Sequence, residues 1–168
     1  QDRTFWGLEP ARAVTAWVAF TRSSLDNGCL LMMPGTHLEG QIEHTNRYGE
    51  GNMLSRGQEV ELNVSDDRAV AMELQPGEMS LHDVSVVHSS HPNDSGDIRI
   101  GCNITYISPD VRQTLGPDTA YLVRGQDTVG NFDLARTPCD PLSNTDQAAY
   151  AEAASRRENI LASAPANY

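Results

Sequence analysis

Lysine is absent from the 168 residues: all 12 basic side chains are Arg, set against 23 Asp and Glu, for a formal net charge of −11. The missing lysines exclude a Schiff-base or lysine-nucleophile mechanism. A surface this acidic repels phosphate backbones, so nucleic acid is not an expected partner. Long apolar runs are missing too; nothing approaches the roughly 20 residues needed to span a bilayer, and no membrane partner is expected. Cysteine is scarce. Cys29, Cys102 and Cys139 are too far apart for a zinc-ligand pattern and odd in number for a disulfide framework. Free thiols in a reducing cytoplasm are the expected state, and no signal or transit peptide is visible.

What is present is an ordinary globular composition, 39% hydrophobic and 21% charged. It fits a single domain over 1–168. Val14–Phe20 alternates as a strand, Asp26-Asn27-Gly28 is turn chemistry, and Cys29–Met33 reads as a short buried strand ended by Pro34-Gly35. Residues 37–57 read as a long surface loop, a common form for a lid. Ala69–Leu74, Met79–His88 and Ile98–Ile107 are further strands, separated by Pro-Gly and Pro-Asn-Asp-Ser-Gly turns. Residues 108–145 read as irregular, and 146–161 as a helix with Thr145 as its N-cap. The pattern predicts a mainly β fold, an antiparallel sandwich or barrel with a core over about 1–107. The chain opens Gln1-Asp2-Arg3-Thr4 without a Met or a leading element, which reads like the middle of a domain with further residues upstream.

On Met79–His88, period two puts Ser80, His82, Val84, Val86 and His88 on one face. On Ile98–Ile107, Arg99, Gly101, Asn103 and Thr105 form a polar face opposite the apolar Ile98, Ile100, Cys102, Ile104 and Tyr106. A polar face on a strand that otherwise reads as core points to a wet internal cavity. His88 and Arg99 would then meet there on neighbouring antiparallel strands. Imidazole suits divalent iron, and guanidinium grips a carboxylate with two prongs. With Asp2 as carboxylate and a second His, His88 would complete the two-His-one-carboxylate face of a non-haem iron oxygenase. Taken singly, each residue has an ordinary reading: His88 as a core or surface imidazole, Arg99 as a surface ion pair, Asp2 as a charged terminus. Spacing alone does not choose between these.

The segments Gln1-Asp2-Arg3-Thr4-Phe5-Trp6, Ala16-Trp17-Val18-Ala19, Asn27-Gly28-Cys29-Leu30 and Pro34-Gly35-Thr36-His37 resemble successive blocks of the phytanoyl-CoA dioxygenase family. So do Pro76-Gly77-Glu78-Met79-Ser80-Leu81-His82 and His88-Ser89-Ser90-His91-Pro92-Asn93-Asp94-Ser95, followed by Arg99. Six blocks in register are specific where each alone is weak. Tyr106–Gln113 and Leu122-Val123-Arg124-Gly125 are similar to a chlorinating-enzyme-like subgroup that also contains phosphonate hydroxylases.

The resemblance implies a double-stranded β-helix (jelly roll) with peripheral helices, lacking its N-terminal portion in this chain. It further implies Fe(II), with 2-oxoglutarate and O2 as co-substrates. The family motif opens His-x-Asp, so the first iron ligand is expected just before Gln1. By position Asp2 and His88 match iron ligands, and Arg99 matches the residue that holds the far carboxylate of 2-oxoglutarate. Gln1 and Trp17 match co-substrate contacts, with core packing as the alternative for Trp17. Asn103 and Arg124 are candidate contacts to a small-molecule substrate, Arg124 through an anionic group such as a phosphonate. Thr36 and Ser90 are candidate polar contacts or turn residues, His82 a side chain touching the cavity, and His37, His44 and His91 loop residues.

The expected reaction is hydroxylation of an unactivated C–H with release of succinate and CO2. In the family's halogenases a small residue replaces the carboxylate and opens an iron position for chloride; Asp2 retains it. A halogenase, a jelly-roll binding protein without an iron site, and a cupin-type isomerase or binder remain the rival readings. Substrate identity, stereochemistry and oligomeric state are not legible.

Overall fold

The computed structural model describes residues 1–46, 58–60, 68–140 and 143–163. In chain order the elements are α1 (Arg3–Trp6), β1 (Leu8–Glu9), β2 (Ala13–Ala19), β3 (Leu30–Met32), β4 (His44–Asn46), β5 (Gln58–Val60), β6 (Val70–Ala71) and β7 (Met79–Asp83). There follow β8 (His88–Ser90), β9 (Gly101–Ile107), β10 (Arg112–Gln113), β11 (Thr119–Ala120), β12 (Asp133–Leu134) and α2 (Asn144–Ser163). Two compact units result: one of Gln1–Arg3 with Ala13–Ile107, the other of Thr4–Arg12 with Ser108–Pro165.

The first unit is built on two three-stranded antiparallel sheets, ordered β7-β2-β9 and β6-β3-β8. β2 forms because its alternating small and β-branched residues suit a strand paired on both edges. Its inward positions Ala13, Thr15 and Ala19 are buried, while Val14 on the other face is exposed. Its register sets Thr15 against His82 and Thr105, and Trp17 against Ser80 and Asn103. The Asp26-Asn27-Gly28 turn is a short 3-10 turn closed by Gly28 in the left-handed region (φ 77°), where only glycine sits without strain.

Three strand expectations change. Met79–His88 is two strands in different sheets, because Asp83 makes a turn: its carboxylate accepts the Ser85 N–H (2.7 Å) and its carbonyl the Val86 N–H (3.1 Å). Buried Val84, Val86 and Val87 continue the apolar pattern through that turn and conceal it. β8 therefore pairs with β3, whereas β9 pairs with β2, so His88 and Arg99 do not lie on neighbouring strands. Second, the apolar face of β9 is not core: Ile104 and Tyr106 are exposed, with Ile98 and Ile100 just before them, and the inward face carries Gly101 and Thr105. Third, residues 37–57 are not structureless where described, since Thr36–Glu39 is a 3-10 turn and β4 pairs with β5; residues 47–57 lie outside the described residues.

In the second unit, β1 pairs with β10 and β11 with β12, so the strands of the irregular segment 108–140 are two-residue bridges. Arg157 pairs with Asp118 (3.2 Å) and lies over the Trp6 ring (5.1 Å). α2 starts earlier than its composition indicates: Ser143 Oγ accepts the Asp146 N–H (3.1 Å), so Ser143 and not Thr145 caps it. Among the described residues no helix is long and apolar enough to cross a membrane.

Asp146 anchors α2, accepting the backbone N–H groups of Asp140 (2.9 Å) and Cys139 (3.1 Å) and the guanidinium of Arg136. The Asp140 N–H first, then Arg136, hold its carboxyl below the ordinary range. A carboxyl whose pKa falls on folding stabilises the native state above its unfolded value, about 3.9, and loses that contribution as pH drops through the lowered value. Acidification from pH 6 to pH 3 should therefore loosen α2, read as loss of ellipticity at 222 nm. Asp146→Asn should flatten that acid limb.

Candidate metal and co-substrate site

The chain start is stitched to the 84–87 turn. Arg3 N–H donates to the Val84 carbonyl (3.0 Å), and Gln1 Nε2 donates to the carbonyls of Ser85 (2.6 Å) and Gly40 (2.9 Å). Gln1 Oε1 accepts the Ile42 N–H (3.0 Å), so this buried amide is engaged by three backbone groups and positions the loop beside the site. Those bonds bring Asp2 to His88 across 86 positions of sequence: Asp2 Oδ1 lies 3.5 Å from His88 Nε2, each side chain about one fifth exposed.

His88 is oriented from behind. Its Nδ1 lies 3.1 Å from the Val86 carbonyl, which only accepts, so Nδ1 carries a proton and Nε2 faces Asp2. A carbonyl behind a ring nitrogen is the arrangement that orients metal-binding imidazoles. Thr36 fixes the entry to β8, its buried hydroxyl donating to Met33 O (2.8 Å) and accepting the Val87 N–H (2.9 Å). An imidazole nitrogen and a carboxylate oxygen facing at this distance leave one point where a cation or a proton is held by both. The donor set, one nitrogen and one oxygen, suits Fe(II). Among the described residues, no group of three His, Cys, Asp or Glu is arranged to hold a metal ion.

Arg99 sits at the approach to β9 with its guanidinium 5.3 Å from the centre of the Trp17 ring. Among the described residues no carboxylate lies within ion-pair distance of it, leaving a fork of donors on an aromatic shelf. The Trp17 indole lies across Gly101, where an added Cβ would fall inside the ring. Gly101→Ala should displace Trp17 and destabilise the protein by about 1–3 kcal/mol, lowering the melting temperature by about 2–12 °C. Differential scanning calorimetry and tryptophan fluorescence check this.

His82 was expected only to touch the cavity, and its setting is more specific. Its ring centre is 5.7 Å from that of His88, and its Nδ1 is buried without a hydrogen-bond partner among the described residues. Burial, and then the neighbouring His88, push its pKa below the ordinary imidazole value, so it is neutral at pH 7. A cleft of about 390 Å³ is lined by Met33, Pro34, Thr36, Glu39 and Arg68; Glu39 and Arg68 carried no motif that would have marked them.

Asn103 is exposed on β9, Ser90 is exposed on β8, and Arg124 is exposed in the second unit. His37 and His91 are exposed, as expected of loop residues. His44 is instead a buried residue of β4 with Nδ1 2.7 Å from the Ile42 carbonyl. Its pKa is lowered, chiefly by burial. All three cysteines are unpaired.

Comparison with known proteins bears on the family and the fold. A phytanoyl-CoA dioxygenase domain homologue of Dictyostelium discoideum is 35% identical over 114 residues, which cover 66% of this chain and 40% of that protein. The apo structure of the non-heme monooxygenase ThoJ matches with a TM-score of 0.85 at 31% identity, covering 96% of this chain and 58% of that one. CytC3 with Fe(II) and alpha-ketoglutarate matches with a TM-score of 0.52 at 27% identity, covering 75% and 45%. This chain thus spans less than half the length of the curated relatives it matches. The two antiparallel sheets are those of a jelly roll. The phytanoyl-CoA dioxygenase (PhyH) model matches residues 1–101, and the chain belongs to that family.

Proposed function

We propose that this chain carries the iron and 2-oxoglutarate site of a dioxygenase that hydroxylates an unactivated C–H of a small molecule. The observation that carries the reading is the Asp2–His88 pair, 3.5 Å apart with the imidazole tautomer set by Val86. The relatives' solved forms include ThoJ with Ni and CytC3 with Fe(II) and alpha-ketoglutarate, which supports the same cofactors here.

In this reading Asp2 and His88 hold Fe(II). When bound, the metal supplies activation of O2 coupled to decarboxylation of the keto acid to succinate and CO2. Arg99 holds the far carboxylate on the Trp17 shelf, with its charge fully available. Val86 holds the His88 ring with Nε2 aimed at Asp2, and Gln1 fixes the 40–42 segment beside it. The Asp2 carboxylate fills the position that a halogenase leaves open to chloride, so hydroxylation is the expected outcome.

The test is succinate release by the full chain with Fe(II) and 2-oxoglutarate across a panel of small phosphonates, amino acids and acyl compounds. Substrate-dependent succinate with an oxygenated product is expected. No metal uptake by the full chain would remove the enzyme reading, and a chloride-dependent chlorinated product would replace hydroxylation.

A further inference from the structure

The 390 Å³ cleft lined by Met33, Pro34, Thr36, Glu39 and Arg68 stands at one end of the sheet β6-β3-β8. The antiparallel register decides which end. Met32, the last residue of β3, pairs with Val70 at the start of β6 and with His88 at the start of β8. Arg68 lies just before Val70, and Met33 and Pro34 just after Met32, so the cleft is at the end of the sheet where His88 stands. Hydrogen bonds tie its wall to both candidate metal ligands. Thr36 Oγ accepts the N–H of Val87, the neighbour of His88 (2.9 Å). Gln1, the neighbour of Asp2, donates from Nε2 to the carbonyl of Gly40, the neighbour of Glu39 (2.9 Å).

Glu39 and Arg68 are exposed, and among the described residues neither has an ion-pair partner. Opposite charges that line one cleft without closing on each other present two signs to whatever enters. A neutral molecule gains from neither charge. A singly charged one is drawn by one side chain and repelled by the other. A molecule carrying both signs is favoured twice, and Met33 and Pro34 give its carbon chain an apolar lining.

We propose that this cleft seats the substrate and that the substrate is a zwitterion, its ammonium at Glu39 and its anionic group at Arg68. This rests on the function proposed above and narrows its substrate class. Both side chains select the substrate, and neither holds the metal or the keto acid.

The test is ligand-observed NMR on the full chain with 2-oxoglutarate and Mn(II), whose unpaired electrons speed the relaxation of nearby protons, and with Zn(II) as the diamagnetic control. The probes are ω-amino acids of three to six carbons, each set against the alkanoate and the alkylammonium of its own length. At the length that fits, the amino acid should bind roughly fivefold tighter than either singly charged partner. Mn(II) should relax its protons faster than Zn(II) does. Glu39→Gln should reduce the amino acid to the affinity of the alkanoate, and Arg68→Gln to that of the alkylammonium. Mn(II) and 2-oxoglutarate affinities should stay at wild-type values in both variants. No preference for the amino acid at any length would overturn the proposal, as would a preference that survives both substitutions or binding without the Mn(II) effect. A wild-type chain that takes up neither Mn(II) nor 2-oxoglutarate would instead overturn the functional reading itself.

Discussion

His88→Ala weakens divalent-metal binding by more than about 100-fold and abolishes 2-oxoglutarate turnover, while the fold survives. Losing an outer-sphere partner alone typically costs 10–100-fold in affinity or activity, and a direct ligand costs more. The fold should tolerate the change because His88 is only half-buried and its ring bonds to the Val86 carbonyl of an adjoining turn. Equilibrium dialysis with Fe(II) or Ni(II) and circular dichroism on the same preparation check both halves. Asp2→Ala should show the same metal loss, because the two side chains face one point. A His88→Ala protein that keeps wild-type metal affinity would remove the pair from the site.

The second large effect is on Arg99. Arg99→Met should raise the dissociation constant for 2-oxoglutarate by at least about 100-fold, since two charge-assisted hydrogen bonds of about 1.5–3 kcal/mol each are lost. Metal affinity should not move, because the Arg99 guanidinium rests on Trp17 of β2, whereas His88 lies on β8 in the other sheet. Arg99→Lys should fall between, keeping the charge and losing the two-pronged geometry and the stack on Trp17. Titration of 2-oxoglutarate into the metal-loaded variants measures this. A loss of metal with co-substrate affinity intact would reverse the assignment.

Much of the strand layout was legible because it follows local rules. Val14–Phe20 alternates and β2 is there, displaced by one residue; the turn at Asp26-Asn27-Gly28 has its left-handed glycine. The turn at 84–87 was not legible, since it carries no Gly or Pro and its valines prolong the alternation. Its signal was Asp83, whose side chain bonds two residues ahead, as Asp does in turns. The inner and outer faces of β9 could be separated by polarity, but their burial was read the wrong way for Ile98, Ile100, Ile104 and Tyr106. Burial is set by what packs on a face, and alternation does not report it. Asp2 beside His88 is a contact between distant segments, made by Gln1 and Arg3 reaching Ser85 and Val84; only the family motif suggested it. The isolation of Nδ1 on His82 was beyond the sequence altogether, because an empty hydrogen-bond valence is a property of surroundings.

Seating Arg99 on Trp17 of β2 and His88 on β8 puts the two ends of the proposed co-substrate site in different sheets. Under that reading, a change in how the two sheets pack would alter the length of diacid the site accepts without replacing any residue that touches it.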